Sequence, residues 1–260
     1  MWQHFKRTVN GTSTEVYAIT WHVDDLKVGS LGSSSLYNSS LQGVNGTFYS
    51  GSQIVGIAIQ NGQAVRTHRD YPNNCLKNGT STINRNRGTM YRTTGGTVNV
   101  KRTVLAKDLT GQLSNLKWAI GGISMHLDQT LTKAAYDKLI ADEAEGVGGV
   151  SDKRPRTMMG YNSETKNIVL AIAVDVLEHG KTGKGITFYD GRTIMSGLGC
   201  TMAIHLDGGS STSIRIEDQE DFTRNIVRHK VTDNAQLTAV YFDTKYGMQR
   251  WPSEWTDIWP

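Results

Sequence analysis

Residues 202–213 read MAIHLDGGSSTS, and the rest of the chain is best interpreted outward from them. The apolar run 202–206 predicts a buried strand that carries Asp207 at its carboxyl end, followed by Gly208 and Gly209 and then by hydroxyl side chains. Glycines allow a backbone to approach a ligand closely, and consecutive N–H groups of such a turn can bind an anion. The stretch therefore predicts a rigidly held functional carboxylate. The alternative is a tight turn in which Asp207 only bonds its own backbone.

The neighbouring segments predict mostly strands. The apolar run at 167–177 is typical of a fully buried strand, and strand patterns also occur at 15–28, 96–106, 118–124 and 236–242. Asn61-Gly62 after an apolar run predicts a hairpin, whereas 66–95 is expected to be irregular and basic, with a turn at 71–74.

Two segments show helical features. One helix is expected at about 130–145, capped by Asp128 or Thr130 and ended by Gly146. A second is expected at 187–197, with Thr187 as its N-cap. The expected fold class is α+β: a single mixed α/β domain over 1–260, strand-rich, with two main helices.

Composition excludes several classes of protein. The chain has 260 residues, 37% hydrophobic and 20% charged, so it is not a charge-dominated disordered chain. No apolar run approaches the roughly 18 residues of a membrane span, and the polar N-terminal stretch has no secretory signal core. We therefore expect a location in the bacterial cytoplasm or on a phage virion. Two cysteines, Cys75 and Cys200, are expected to be unpaired thiols.

Charge is unevenly distributed, although the net value is only +4. Nine Lys or Arg residues lie between Arg66 and Lys107, against one acid, Asp70. This basic stretch favours an anionic partner such as phosphate, nucleic acid or an anionic polymer, and a solvated loop is the alternative. No histidine spacing indicates a metal site, and neither a phosphate-binding loop nor a nucleophile elbow occurs. A structural Ca²⁺ stays open, with no ligand spacing in its favour.

Two further motifs contain candidate binding residues. RPRTMMG, 154–160, places Arg156 after a proline, and its guanidinium fork suits bidentate phosphate binding, although a surface-turn arginine is the alternative. VNGTFYSG, 44–51, contains Asn45, the flexible Gly46, and two aromatic rings that could pack or stack on a sugar face.

Together these motifs resemble those of the phosphodiester glycosidase family. NGTFYSG is similar to its Asn-Gly-Gly-Phe-Phe motif, RPRTMMG to Arg-Thr-Ala-Ile-Gly, and AIHLDGGSSTS to Leu-Asp-Gly-Gly-Gly-Ser. The strand ending at Asp175 fits the family's Val-Asp-Gly segment, and the motifs occur in family order over about 15–243. The tail 248–260, with three tryptophans, has no counterpart in this resemblance.

The resemblance implies hydrolysis of a sugar-1-phosphodiester at the anomeric C–O bond, on N-acetylglucosamine-1-phosphodiester or a related cell-wall glycopolymer, with no cofactor. Arg156 would stabilise the phosphate, Asp207 would activate water or support an oxocarbenium-like transition state, and Asp175 would be the second carboxylate. The remaining expected site residues bind the substrate: the backbone N–H groups of Gly208, Gly209 and Ser210 cradle phosphate, while Asn45, Gly46 and Thr157 bind sugar hydroxyls or orient their neighbours.

Two other functions stay open. One is a non-catalytic module that binds carbohydrate or cell-wall polymer, such as a phage receptor-binding component that uses the terminal tryptophans. The other is a nucleic-acid binder acting through 66–107, which is disfavoured because few aromatic residues interleave with its basic ones. A phosphodiesterase that cuts the P–O bond usually needs a metal cluster, which the sequence does not indicate. The sequence predicts no oligomeric state.

Overall fold

The structure is a computed structural model that describes residues 1–32, 34–65, 75–80, 82–175, 185–220, 223–230, 235–243 and 248. These residues form two α-helices, α1 (Lys133–Ala144) and α2 (Phe188–Gly197), and eighteen strands. The strands are β1 (Trp2–Val9), β2 (Thr12–His22), β3 (Leu26–Ser30), β4 (Gln42–Asn45), β5 (Tyr49–Ser50), β6 (Gln53–Ile54), β7 (Ala58–Gln60), β8 (Gln63–Ala64), β9 (Arg87–Thr93), β10 (Val98–Thr103), β11 (Leu116–Gly121), β12 (Ile123–Ser124), β13 (Arg156–Asn162), β14 (Asn167–Asp175), β15 (Met202–His205), β16 (Ser213–Glu220), β17 (Thr223–Lys230) and β18 (Thr238–Phe242).

The strands pair antiparallel in four sheets. One sheet has the order β1-β2-β14-β13-β15-β12, a second β10-β9-β11-β7-β8, a third β17-β16-β4-β18-β3, and a small fourth is β5-β6. The expected α+β class with two main helices is confirmed. No helix among the described residues is long and apolar enough to span a membrane.

Both helices form where their caps and apolar faces predict them. Thr187 caps α2 through a reciprocal capping box with Asp190, as expected. Helix α1 begins later than expected, because Thr132, and not Asp128 or Thr130, accepts the capping hydrogen bond. At its other end Gly146 has a left-handed φ of 81°, which favours glycine just past a helix.

The strand predictions are confirmed in part. Asn61 and Gly62 have φ values of 49° and 73° and join β7 to β8, as the hairpin signal predicts. The expected strand at 15–28 is wrong as one element, because a 3₁₀ turn at Val23–Asp25 separates β2 from β3.

The expectation of an irregular 66–95 segment is also wrong in its last third. Strand β9 lies between β10 and β11, and residues 87–91 are all buried. Polar residues at buried positions, Arg87 and Thr89, conceal the apolar pattern that marks a strand. The proposed turn at 71–74 lies outside the described residues.

The main core fills the space between the large sheets, and strands of all three contribute apolar side chains to it. A second apolar cluster packs under α1 and α2 and includes Phe48, Tyr136 and Phe188. Four strand ends meet beside this second cluster: the end of β4, the starts of β9 and β13, and the end of β15. The architecture thus brings segments distant in sequence to one place.

Candidate active site

A cleft of about 610 Å³ opens where these strand ends meet. Its wall includes four arginines, two carboxylates and an apolar floor. The residues that line the cleft include Phe48, Tyr49, Val55, Arg85, Arg87, Glu145, Val147, Gly148, Arg154, Arg156, Phe188, Asp207, Gly208, Gly209 and Ser210. The cleft therefore contains Asp207 and Arg156, which the sequence places in different motifs.

Asp207 lies just beyond the end of β15, and its N–H donates to the Gly46 carbonyl at 3.1 Å. Burial raises the pKa of Asp207 to about 7, while hydrogen bonds from the Ser211 hydroxyl and the Gly208 N–H, and the charge of Arg87, act in the opposite direction. A carboxyl with this pKa exchanges a proton readily near neutral pH, which suits general acid–base chemistry.

Arg156 is the first residue of β13 and is only 3% exposed. Its Nε donates to the Ile186 carbonyl at 3.2 Å and its Nη2 to the Asp152 carbonyl at 2.7 Å. The guanidinium lies 3.6 Å from the centre of the Phe188 ring. Burial, followed by the charge of Arg154, lowers the pKa of Arg156 to about 10, so the group stays protonated at neutral pH.

Arg87, the first residue of β9, repeats this arrangement from another sheet. Its Nε donates to the Glu143 carbonyl and its Nη2 to the Glu145 carbonyl, both at 2.9 Å, and its guanidinium lies 4.7 Å from the centre of the Phe48 ring. Burial lowers its pKa to about 10. Arg87 was not among the predicted site residues, because in the sequence it is only one member of the basic stretch.

Neither of these two arginines has a carboxylate within 4 Å among the described residues, where the ion-paired arginines are Arg85, Arg92, Arg102, Arg154 and Arg215. Phe48 and Phe188 belong to the same apolar cluster, so both guanidiniums stand over one floor. Two buried cations with no described carboxylate within 4 Å make this part of the cleft a candidate site for an anion.

His205 supports this floor from below. It is fully buried, its Nε2 lies 3.0 Å from the Phe188 carbonyl, and its ring packs edge-on against Phe188 at 4.8 Å. Burial, and then the charge of Arg156, lowers the pKa of His205 well below its usual value, so the imidazole is neutral. His205 thus fixes the ring on which Arg156 rests.

Asn45 and Thr157 lie beneath the cleft and do not line it. The Asn45 amide donates to the Asp207 carbonyl at 2.8 Å, and its oxygen accepts from the Thr157 hydroxyl at 2.7 Å and from the Ser213 N–H at 3.1 Å. Asn45 is 1% exposed and Thr157 fully buried. Of the two roles expected for this pair, the contacts favour orientation of neighbours over binding of sugar hydroxyls.

Gly46 also has a packing role. Its N–H donates to the Thr238 carbonyl at 2.8 Å, and a Cβ there would meet the Thr238 hydroxyl oxygen at 2.4 Å. The absence of a side chain lets β4 pass close to β18 and hold the Asp207 loop.

Gly208, Gly209 and Ser210 do line the cleft. The Gly208 N–H bonds the Asp207 carboxylate, and the Gly209 N–H donates to the Pro155 carbonyl at 2.8 Å. Gly209 has φ of 62°, a conformation that favours glycine. Because these two donors are engaged within the protein, the arginines are the stronger candidates for holding an anion.

Asp175 ends β14, where it pairs with Thr14 of β2, and its side chain lies outside the described residues. No group of three or more His, Cys, Asp or Glu side chains suited to a metal ion occurs in the described part of the chain. Cys75 and Cys200 are unpaired and buried, as expected.

The sequence profile of the phosphodiester glycosidases matches residues 38–240, which include all three motifs and both buried arginines. The chain belongs to the phosphodiester glycosidase family. No curated protein sequence matches the chain.

Solved structures show the same fold as this phosphodiester glycosidase. The catalytic domain of zebrafish N-acetylglucosamine-1-phosphodiester alpha-N-acetylglucosaminidase, auto-inhibited by its pro-peptide, aligns with a TM-score of 0.58 at 16% identity, over 94% of this chain and 83% of that one. A protein from Burkholderia pseudomallei aligns with a TM-score of 0.53 at 13% identity, over 88% of this chain and 73% of that one. At these identities the likeness concerns the fold.

Proposed function

We propose that this phosphodiester glycosidase hydrolyses a sugar-1-phosphodiester at the anomeric C–O bond, with N-acetylglucosamine-1-phosphodiester as the leading substrate type. The observation that carries the proposal is the pairing, in one cleft, of Asp207, whose pKa is raised to about 7, with the unpaired guanidiniums of Arg87 and Arg156. A substrate that is a sugar at one end and a phosphate at the other matches this arrangement.

In the proposed mechanism Arg87 and Arg156 hold the phosphate. The anomeric C–O bond breaks with its electron pair moving to the phosphate oxygen, and the departing phosphate monoester is already a stable anion. Both guanidiniums stabilise the negative charge as it grows, so the site has less need for a strong general acid. Their carbonyl partners and aromatic floor hold them in position before the substrate arrives.

Asp207, as the carboxylate, accepts a proton from the water whose oxygen bonds the anomeric carbon, and its charge also favours the oxocarbenium-like transition state. Asn45 and Gly46 bind both backbone polar groups of Asp207 and so orient it. Asp175 stays our candidate for the second carboxylate: Ala173 pairs with Arg156, and Asp175 ends the same strand two residues further on.

The test is hydrolysis of an N-acetylglucosamine-1-phosphodiester in ¹⁸O-labelled water, with mass spectrometry of the products. Label in the sugar is expected, since water attacks carbon. Label in the phosphate would replace the proposal with cleavage of the P–O bond. Tight binding of the substrate without turnover would favour the non-catalytic carbohydrate-binding module instead.

A further inference from the structure

Each buried arginine of the cleft has a second arginine two residues earlier in the chain. Arg85 precedes Arg87 and Arg154 precedes Arg156, and all four line the cleft. Arg154 pairs with Ile186 in an extended bridge, and the Arg85 N–H bonds the Asn78 carbonyl. In extended chain, residues two apart face the same side and are separated by about 6.6 Å. The cleft thus has an inner arginine pair, Arg87 and Arg156, and an outer pair, Arg85 and Arg154.

The two pairs differ in their partners. Each outer arginine has an exposed carboxylate: Arg85 Nη1 lies 2.6 Å from Glu145 Oε2, and Arg154 Nη2 lies 3.1 Å from Asp152 Oδ2. The Glu145 and Asp152 side chains are 64% and 48% exposed. Exposed ion pairs of this kind are weak, so a phosphate can replace either carboxylate at little cost.

The outer arginines contact the two ends of one short segment of the chain. Arg85 bonds Glu145 at the start of the segment 145–148, and the Arg154 guanidinium packs on its end, where a Cβ at Gly148 would lie 2.9 Å from Arg154 Cζ. This segment itself lines the cleft. The two outer guanidiniums therefore flank the same part of the cleft wall.

We propose that the outer pair is a second phosphate subsite, and that the substrate has at least two phosphodiester groups separated by a sugar or polyol unit. This inference rests on the proposed function, since the inner pair holds the reacting phosphate. The inner and outer arginines of each motif are about 6.6 Å apart along the chain, which is longer than the single bridging oxygen of a pyrophosphate allows. A nucleic acid also has spaced phosphates, but its tight binding as a single strand needs stacking aromatic platforms. On the described cleft wall Phe48 and Phe188 are covered by the inner guanidiniums, which leaves only Tyr49 among its aromatic rings for stacking.

The test compares two probes: a sugar-1-phosphodiester with a methyl aglycone, and the same compound with a glycerol aglycone that has a second phosphodiester. The variant is the double substitution Arg85→Gln and Arg154→Gln. The matched control is Arg92→Gln, an ion-paired arginine of β9 that lies outside the cleft, as does its partner Asp24.

We expect the unaltered protein to prefer the two-phosphate probe by about tenfold in kcat/KM, the size of one charge-assisted hydrogen bond at a partly exposed position. The double variant should lose this preference and still cleave the one-phosphate probe at the original rate, while the control keeps both values. Equal kcat/KM for the two probes in the unaltered protein, or a preference that survives in the double variant, would overturn the second subsite.

Calorimetric binding of the same probes separates this inference from the proposed function. If neither probe is cleaved but the two-phosphate probe binds more tightly, and only when Arg85 and Arg154 are present, the subsite stands and the proposed reaction falls. If both probes are cleaved and bind equally tightly, the proposed reaction stands and the second subsite falls. Tighter binding of oligothymidylate than of the two-phosphate probe would replace the inference with nucleic-acid binding.

Discussion

Two buried charged side chains, Glu143 and Arg87, lie at the end of α1, and only Glu143 has a charged partner within 4 Å among the described residues. The Glu143 carboxylate is fully buried and accepts hydrogen bonds from the N–H groups of Gly88 and Ser124 at 2.6 and 2.9 Å, and from the Ser124 hydroxyl at 3.1 Å. Arg102 faces it at 3.1 Å. Arg87, one residue before Gly88, bonds the backbone carbonyl of the same Glu143, yet has no carboxylate within 4 Å among the described residues.

This difference distinguishes a buried charge that stabilises the fold from buried charges that can serve a ligand. A buried charge that serves the fold needs counterions and hydrogen bonds within the protein, because an uncompensated one is costly. In the described part of the chain the guanidiniums of Arg87 and Arg156 donate to carbonyl groups and lie over phenylalanine rings, with no carboxylate within 4 Å, so their position is held while much of their charge stays available. Substitutions in the cleft should therefore change activity, and substitutions at Glu143 should change stability.

The largest effect is expected from Asp207→Asn, which removes the proton acceptor and keeps its shape. Turnover of a sugar-1-phosphodiester should fall about 10²–10⁴-fold, with an unchanged circular dichroism spectrum. In the unaltered protein kcat/KM should rise with pH through about 7, because the carboxylate form of Asp207 is the active one. Asp128→Asn, on an exposed aspartate outside the cleft, is the control. Full turnover in Asp207→Asn would remove this residue from the mechanism.

Arg156→Ala should lower kcat/KM for the phosphodiester about 10²–10³-fold, the size observed when one preorganised donor to a developing anion is lost. A neutral glycoside of the same sugar lacks the phosphate and should be affected much less. Arg87→Ala should act similarly, and steady-state kinetics on both substrates check each variant. An equal loss on the neutral glycoside would contradict the assignment of these arginines to the phosphate.

Glu143→Gln should lower the free energy of unfolding by about 1.5–3 kcal/mol, because a neutral amide replaces the buried carboxylate that accepts hydrogen bonds from Gly88 and Ser124. Urea denaturation measures this. Since Glu143 does not line the cleft, kcat of the folded fraction should stay the same. A Glu143→Gln variant with normal stability and reduced kcat would contradict the assignment of Glu143 to stability and of the cleft arginines to activity.

The smallest effect concerns the stability cost of Asp207 itself. Its folded pKa, about 7, is above the ordinary value of 3.8, so between these pH values the folded state binds more protons than the unfolded state. Protonated Asp207 therefore stabilises the folded state relative to the carboxylate form. This stabilisation is complete below about pH 4 and is lost as the pH rises through 7. Asp207→Asn should be more stable than the unaltered protein at pH 8, by roughly 1 kcal/mol after solvent screening, and no more stable at pH 4. Denaturation at both pH values measures the difference, and a constant difference would contradict the raised pKa.

The sequence predicted those parts of the site that lie within continuous motifs. Asp207 and Arg156 are each marked by their own neighbours, a strand ending in glycines and a proline before a strand. The Asp207 carboxylate also accepts a hydrogen bond from the following N–H, as the tight turn predicts, and it still lines the cleft, so the functional role stays a prediction.

Arg87 could not be recognised in this way, because its carbonyl partners come from α1, more than fifty residues later in the chain. The only available signal was the spacing of Arg85 and Arg87 two residues apart, shortly before Met90 and Tyr91. Asn45 was identified as a site residue, but its contacts with β13, β16 and the Asp207 loop depend on how separate sheets meet, which periodicity does not specify.

The Asn45-Gly46 dipeptide has a consequence for how samples of this protein age. Asn-Gly sequences deamidate through attack of the glycine nitrogen on the asparagine side chain, which requires a mobile backbone. Here the amide is locked to Asp207 and the Gly46 N–H to Thr238, so the folded protein protects this bond. The exposed Asn61 side chain accepts only a long hydrogen bond of 3.4 Å from Gln60, so the Asn61-Gly62 turn should deamidate before Asn45-Gly46, outside the cleft. Charge heterogeneity on storage is therefore harmless at first, and activity should decline only at the rate at which molecules unfold and expose Asn45.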